Sequence, residues 1–209
     1  MLMKIKICGL TREEDILCVN NVIPDYIGFV FARSKRRLTY EQAMPLKRML
    51  SPPIKAVGVF VNEDIPTIIR GERLGIIDVI QLHGDESNEY IHRLRARTKL
   101  PIIKAVRIGD TLPTGIDDIP ADFLLLDKLS DRAYGGLGES FNWALLKNIE
   151  SPFFLAGGIN TSNIDVAMSH SPYCIDVSSG AETNGLKDSS KITALTNLIK
   201  KYNIKEKLK

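Results

Sequence analysis

The stretch FFLAGGIN, residues 153–160, is a short apolar run that ends in two glycines and an asparagine. IDVSSG, residues 175–180, repeats this arrangement one unit further along, with two serines before its glycine. A short run rich in Phe, Ile, Leu and Val without clean alternation is typical of a strand buried on both faces, as in parallel sheets. The two segments therefore predict neighbouring parallel strands, each followed by a polar loop.

The same unit recurs along the whole chain. Eight strands are predicted at Lys4–Cys8, Tyr26–Phe31, Ala56–Val61, Val79–His83, Ile102–Val106, Phe123–Asp127, Phe153–Ala156 and Ile175–Ser178. Helices are predicted between and after them at Arg12–Asn20, Tyr40–Leu50, Ile65–Leu74, Asn88–Arg97, Leu145–Asn148, Ser162–His170 and Ser189–Tyr202, with a short or distorted helix in Asp110–Asp118. Thr11, Thr39 and Thr161 are predicted caps of three of these helices. Alternation of this kind is typical of a (β/α)8 barrel or of a doubly wound open sheet.

The position of the polar residues favours the barrel. Nearly every predicted strand ends in a polar or glycine-rich cluster, and the N-terminal ends carry nothing comparable. An open sheet would concentrate such residues at one switch point, whereas a barrel brings all eight C-terminal ends to one face. We therefore predict a single-domain α/β (β/α)8 TIM barrel spanning residues 1–209.

Composition excludes several classes of function. Apolar residues make up 44% of the chain and charged residues 25%, and the net charge is only +3, so neither a membrane nor a nucleic acid is an expected partner. Three cysteines without CxxC spacing and three scattered histidines predict neither a disulfide framework nor a metal site. The start lacks a secretory signal, so we expect a cytoplasmic protein that needs no cofactor and exists as a monomer or homodimer.

The loops after the last two strands predict an anion site. Gly157 and Gly158 follow the seventh strand, and Ser178, Ser179 and Gly180 follow the eighth. The corresponding loops of TIM barrels commonly bind phosphate through backbone N–H groups. We therefore expect a small phosphorylated ligand at this point.

Other strand ends carry side chains capable of chemistry. Cys8 ends the first strand and is interpreted as a buried core thiol, a nucleophile or a base. Asp127 ends the sixth strand and is either a cap or a functional acid. Gln81 and His83, at the end of the fourth strand, are predicted to contact the substrate. The basic run from Arg33 to Arg37 is either a solvated loop or an anion clamp that uses one arginine, and residues 134–138, YGGLG, are expected to form a mobile lid.

Several motifs together resemble one known family. They are KICGLT at 6–11, GFVF at 28–31 leading to SKR at 34–36, VGVFVN at 57–62, QLHGD at 81–85, GGLG at 135–138, GGIN at 157–160 and DVSSG at 176–180. In this order they resemble phosphoribosylanthranilate isomerase of tryptophan biosynthesis, from the first strand to the last helix. The sequence departs from the family pattern at Lys128, Glu139 and Asn142.

The resemblance implies a reaction and a role for several residues. The reaction would be the Amadori rearrangement of N-(5-phosphoribosyl)anthranilate to its 1-deoxyribulose isomer. Cys8 would be the general base and Asp127 the general acid, and Arg36 would bind the anthranilate carboxylate. Asp176 would help to hold the ribose, and Gly158 and Ser179 would contact phosphate.

Two other functions remain open from sequence. A barrel that binds a phosphorylated sugar without turnover would need the glycine loops and Arg36 but neither Cys8 nor Asp127. A related barrel isomerase of histidine synthesis acts on a substrate with two phosphates and resembles this chain less, because it usually pairs two aspartates. Turnover of the substrate distinguishes an isomerase from a barrel that only binds the sugar. Competition between the two substrates distinguishes it from the isomerase of histidine synthesis.

Overall fold

A computed structural model describes residues 2–128 and 142–208. Eight parallel strands form a closed barrel in chain order, and β1 pairs with β8 to complete the ring. The strands are β1 (Lys4–Cys8), β2 (Tyr26–Val30), β3 (Lys55–Phe60), β4 (Val79–Leu82), β5 (Ile102–Ile108), β6 (Phe123–Lys128), β7 (Phe153–Leu155) and β8 (Cys174–Val177). The prediction of a (β/α)8 barrel is confirmed, and all eight strands lie where the sequence indicated.

In residues 2–128 and 142–208, six α-helices surround the barrel. They are α1 (Glu13–Val22), α2 (Tyr40–Met49), α3 (Ile65–Arg73), α4 (Asn88–Arg95), α5 (Ile164–Ser169) and α6 (Ser189–Lys207). The links after β5 and β6 instead contain 3-10 turns, Ile116–Asp118 and Trp143–Asn148. Two prolines and the left-handed Gly115 confine the first of these to a single turn, since neither residue type suits a helix interior.

One of the three predicted helix caps is present in the structure, and the other two are not. Thr39 caps α2 as predicted, in a reciprocal capping box with Gln42. Thr11 does not cap α1, because the Asp15 carboxylate accepts the N–H groups of Thr11 and Arg12 instead. Thr161 does not cap α5 either, because that helix begins after Asn163.

The barrel interior changes character along its axis. The part toward the N-terminal ends of the strands is filled by an apolar cluster from alternate strand positions, which extends to Ala156 at the polar end: Val57, Val79, Ile103, Ala105, Leu125, Phe154, Ala156 and Cys174. Tyr26 and Tyr173 lie against that cluster and share a hydrogen bond of 3.0 Å between their hydroxyls. A larger apolar cluster lies between the strands and the helices. The packed N-terminal part supports a polar C-terminal end, as in other TIM barrels.

The N-terminal ends of the strands carry polar residues that the sequence interpretation missed. Asp25, Asp78 and Asp122 directly precede β2, β4 and β6. Each carboxylate accepts the N–H of a residue at or near the start of the preceding strand, Ile5, Ala56 and Ile102 respectively, at 2.7–3.0 Å. Each also pairs with a lysine or arginine. These aspartates satisfy exposed strand ends and are far from the polar face, so they stabilise the barrel.

The chain beyond β8 forms an additional element. A 3-10 turn, Ser179–Ala181, leads into a two-stranded antiparallel hairpin of β9 (Glu182–Thr183) and β10 (Leu186–Lys187) before α6 begins. The predicted lid, residues 134–138, lies outside the described residues. None of the described helices is both long and apolar enough to span a membrane.

Candidate active site

A cavity of about 890 Å³ opens at the C-terminal ends of the barrel strands. Its lining includes ten of the eleven predicted site residues: Cys8, Arg36, Gln81, His83, Asp127, Gly157, Gly158, Asp176, Ser178 and Ser179. Gly180 is the exception and lies behind the lining. The structure therefore brings side chains from β1, β4, β6 and β8 and the intervening loops to one space.

Cys8 lies beside a buried charged pair that the sequence interpretation did not single out. Lys6 is two residues earlier on β1, so both side chains point into the barrel. Lys6 is fully buried, and its Nζ donates to both carboxylate oxygens of Asp176 at 3.0 Å. This pairing follows from the register in which Lys6 lies opposite Asp176 on β8.

The surroundings of Cys8 act on its acidity in opposite directions. Burial raises the pKa of the Cys8 thiol above its ordinary value, and the charge on Asp176 adds to that effect. The ammonium groups of Lys6 and Lys187 lower the pKa, and Lys6 also does so through a hydrogen bond. The pKa of Lys6 itself is raised by Asp176 and Cys8 despite complete burial, so Lys6 stays charged.

Asp127 lies across the cavity with one carboxylate oxygen held and the other facing His83. Asp127 Oδ1 accepts the backbone N–H of Lys128 at 2.8 Å. Asp127 Oδ2 is 3.7 Å from His83 Nε2, and His83 Nδ1 is 2.8 Å from Gln81 Nε2. If Gln81 donates to Nδ1, the second ring nitrogen of a neutral His83 carries its proton toward Asp127. Gln81 Oε1 is buried and has no hydrogen-bond partner among the described residues, so it is a candidate acceptor for a ligand in the cavity.

The loop that carries His83 is fixed from beneath by a second buried pair. Lys104 Nζ donates to Glu86 Oε2 at 2.8 Å and to the carbonyl of Gly84 at 2.6 Å. Glu86 in turn accepts the N–H groups of Asn62 and Gly84. Because all of these groups are satisfied, the loop after β4 is held in one conformation.

The two predicted phosphate loops pack directly against each other. Gly157 and Gly158 adopt positive φ angles of 89° and 65°, and the Gly158 carbonyl accepts the side-chain amides of Asn160 and Asn163. A Cβ at Gly180 would lie 1.9 Å from the carbonyl oxygen of Ile159, so only glycine permits this approach. Gly180 thus contributes by allowing the loops to meet.

Arg36 reaches the cavity from the loop after β2, but its guanidinium already has a partner. Its Nε and Nη2 donate to the two carboxylate oxygens of Glu182 at 2.6 and 2.9 Å. Lys187 donates to the same glutamate at 2.7 Å. Glu182 and Lys187 were not predicted, since both follow the last barrel strand in a segment that resembles an ordinary turn. Within 2–128 and 142–208, no group of three or more His, Cys, Asp or Glu is placed to hold a metal ion.

Comparison with known proteins decides the family. The family model described as N-(5'phosphoribosyl)anthranilate (PRA) isomerase matches residues 5–198. The N-(5'-phosphoribosyl)anthranilate isomerase of Endomicrobium trichonymphae is 48% identical over 198 residues, which covers 94% of this chain and 98% of the relative. The chain belongs to the N-(5'-phosphoribosyl)anthranilate isomerase family. The predictions of an isomerase enzyme and of a place in tryptophan biosynthesis are confirmed.

Solved structures of isomerases in this family share the fold. The enzyme from Thermus thermophilus superposes with a TM-score of 0.85 at 32% identity and covers 96% of this chain and 100% of its own. Another, at a TM-score of 0.78, 31% identity and the same coverage, is a complex with reduced 1-(o-carboxyphenylamino)-1-deoxyribulose 5-phosphate. A Thermotoga maritima structure, with a TM-score of 0.79, 30% identity and again the same coverage, is of monomers generated from a dimeric isomerase.

Two of the three departures from the family pattern, Lys128 and Asn142, lie among the described residues. Asn142, before the 3-10 turn, accepts the N–H of Ala144 with its side-chain oxygen, so it caps that turn much as an aspartate would. Lys128 contributes the backbone N–H that holds Asp127, a contact that does not depend on its side chain. Glu139 lies outside the described residues.

Proposed function

We propose that this isomerase converts N-(5'-phosphoribosyl)anthranilate to 1-(2-carboxyphenylamino)-1-deoxyribulose 5-phosphate by general acid–base catalysis, with Cys8 as base and Asp127 as acid. The observation that supports this assignment is that a thiol and a carboxyl group from β1 and β6 line one cavity, together with the glycine-rich loops. A pure binding protein would need the loops but neither of the two titratable groups.

The chemistry needs one proton donor and one proton acceptor. Asp127 donates to the ring oxygen, the C1–O bond breaks, and the nitrogen lone pair forms an iminium with C1. The Cys8 thiolate then takes the proton from C2, and the C–H electrons form a C1–C2 double bond while the iminium becomes an amine. The resulting enol loses its hydroxyl proton and gains one at C1, which gives the ketone. Exchange with solvent restores both enzyme groups.

The remaining cavity residues are proposed to position the substrate. The phosphate is bound by Gly157, Gly158, Ser178 and Ser179, and Asp176 holds the ribose. Gln81 accepts a hydrogen bond from a sugar hydroxyl, and His83 donates one. Arg36 binds the anthranilate carboxylate. Two anionic groups at opposite ends of the substrate would thus align its sugar between Cys8 and Asp127.

The direct test is turnover of the substrate by the purified chain. We expect complete conversion without any added cofactor, followed by the change in anthranilate fluorescence and by chromatographic separation, since substrate and product have the same mass. A chain that binds the product analogue but leaves the substrate unchanged would be a binding protein, and the proposal would be wrong.

The pH dependence of kcat/KM tests the role of Cys8. A general base acts in its deprotonated form, and burial raises the pKa of this thiol, so the rate should rise as the pH increases above neutral. Lys6→Met removes a cation that lowers that pKa and should move the rise to still higher pH. Lys6→Arg should retain the parent profile.

Alkylation of the Cys8 thiol over the same pH range gives a second readout that does not depend on turnover. Lys4→Met is the matched control, because Lys4 lies on the same strand but pairs with Asp25 at the opposite end of the barrel. A folded Lys6→Met variant whose rate and alkylation profiles coincide with those of the parent would contradict the role of Lys6.

We also propose a domain organisation, a partner class and a location for this isomerase. We infer that residues 1–209 act as one domain, because the first and last barrel strands pair with each other. The modest net charge of +3 supports a small phosphorylated sugar as the partner, without nucleic acid or membrane. The three sparse cysteines, which suggest no disulfide framework, support a location in the reducing cytoplasm. A monomer and a homodimer both fit.

A further inference from the structure

The guanidinium of Arg36 is held along one edge only. Glu182 takes the edge formed by Nε and Nη2, with both carboxylate oxygens engaged at 2.6 and 2.9 Å. The side chains of Arg36 and Glu182 are only 14% and 6% exposed, so this bidentate pair is well shielded from water. The second edge, formed by Nη1 and the other Nη2 hydrogen, meets no protein acceptor among the residues described. An arginine held in this way presents a second, coplanar fork for a carboxylate.

A glutamate beside that fork would by itself repel an anionic ligand. Lys187 offsets this repulsion, since its Nζ donates to Glu182 Oε1 at 2.7 Å and its side chain is almost fully buried. Burial works against ionisation of Glu182, yet the hydrogen bonds from Arg36 and Lys187 lower its pKa to about 2. Glu182 is therefore charged at any working pH. Burial lowers the pKa of Lys187, although Glu182 opposes that shift, and with Lys187 protonated the three side chains together carry one net positive charge.

The β9–β10 hairpin also connects Arg36, which would bind the substrate carboxylate, to the phosphate loop after β8. Glu182 and Lys187 lie opposite each other on β9 and β10. Lys187 Nζ donates to the Ser178 carbonyl at 2.9 Å, and the Ser178 hydroxyl is 3.3 Å from the carbonyl oxygen of Cys8. Lys191 Nζ in turn donates to the Glu182 carbonyl at 2.6 Å. One hydrogen-bonded hairpin thus contacts the parts of the cavity that would bind both ends of the substrate.

We propose that Glu182, supported by Lys187, is a positioning residue that fixes the plane of Arg36 and makes the site selective for substrates with a carboxylate on the aromatic ring. This inference rests on the proposed function for the identity of the substrate. Glu182 itself does not touch the ligand, and its effect is transmitted through the second edge of the Arg36 guanidinium.

The test compares two ligands on the same set of variants. The ligands are the reduced product analogue, which carries the aromatic carboxylate, and the corresponding phenylamino compound without it, each titrated by calorimetry. We expect the parent to prefer the carboxylate ligand. In Glu182→Gln that preference should fall by about tenfold or more, while binding of the carboxylate-free ligand stays within about twofold. Glu182→Asp should recover part of the preference.

Charge balance distinguishes this role from simple support of the loop. Lys187→Met removes one of the two cations that pair with Glu182 and should weaken carboxylate binding more than Glu182→Gln does. Combining the two changes should restore part of the loss, since the unbalanced glutamate is gone. If the losses of affinity caused by the two single changes add in the double variant, or if they are equal for both ligands, the role is merely structural and the proposal is wrong.

Kinetics on the natural substrate provide a further check. Glu182→Gln should raise KM by about tenfold or more and lower kcat much less, because the chemistry at Cys8 and Asp127 is untouched. Glu41→Gln is the matched control, since Glu41 also pairs with an arginine, Arg70, but on the exposed surface. If the parent fails to turn over the substrate, the proposed function is wrong, while the two-ligand titration still decides the role of Glu182.

Discussion

Replacing Cys8 with serine is expected to lower kcat by about 10²–10⁴-fold, the range in which a single general acid–base group contributes. Serine has nearly the same shape, but its hydroxyl does not ionise in the working pH range and cannot accept the C2 proton. Because Lys6 and Asp176 remain paired beneath it, the barrel should stay folded and the reduced product analogue should still bind. Single-turnover rates and calorimetric affinity, measured on the same preparation, check both parts of the prediction.

The matched control for this prediction is Cys174→Ala. Cys174 is also a buried cysteine on a barrel strand, but it lies in the apolar cluster at the closed end of the barrel. This change should lower stability somewhat through lost packing and leave kcat near the parent value. A Cys8→Ser variant that turns over like the parent would remove Cys8 from the mechanism, whatever the control shows.

The fold was predictable because its signal is repeated. Each strand is a short buried run with its own polar end, and an error in one unit leaves seven others to indicate a parallel barrel. The structure of the links after β5 and β6 was harder to predict, because their 3-10 turns contain too few residues to show helical periodicity. The aspartates before β2, β4 and β6 were missed since each works across strands, by accepting an N–H from a neighbour that only the register reveals.

Sequence alone could identify those site residues that lie at the C-terminal ends of predicted strands. Cys8 and Asp127 are visible there, and their roles come from the family resemblance. Lys6 had a usable signal, since a lysine two residues before Cys8 in an otherwise apolar strand must point the same way into the barrel. Glu182 and Lys187 had none, because their partnership with Arg36 joins segments that are about 150 residues apart.

Asp127→Asn is expected to lower kcat by about 10²–10⁴-fold and to do so with little change in ligand affinity. Asparagine keeps the shape and can still accept the N–H of Lys128. Its amide N–H is far too weakly acidic to protonate the ring oxygen, so opening of the furanose becomes slow. A substrate analogue without the 4-hydroxyl cannot close to the furanose and would not need that step, so its conversion should suffer much less than that of the cyclic substrate. Asp122→Asn is the control, since it removes an aspartate carboxylate next to the other end of the same strand. Equal losses on the non-cyclising analogue and the cyclic substrate would mean that Asp127 acts at a step after ring opening, and its assignment as the acid that opens the furanose would be wrong.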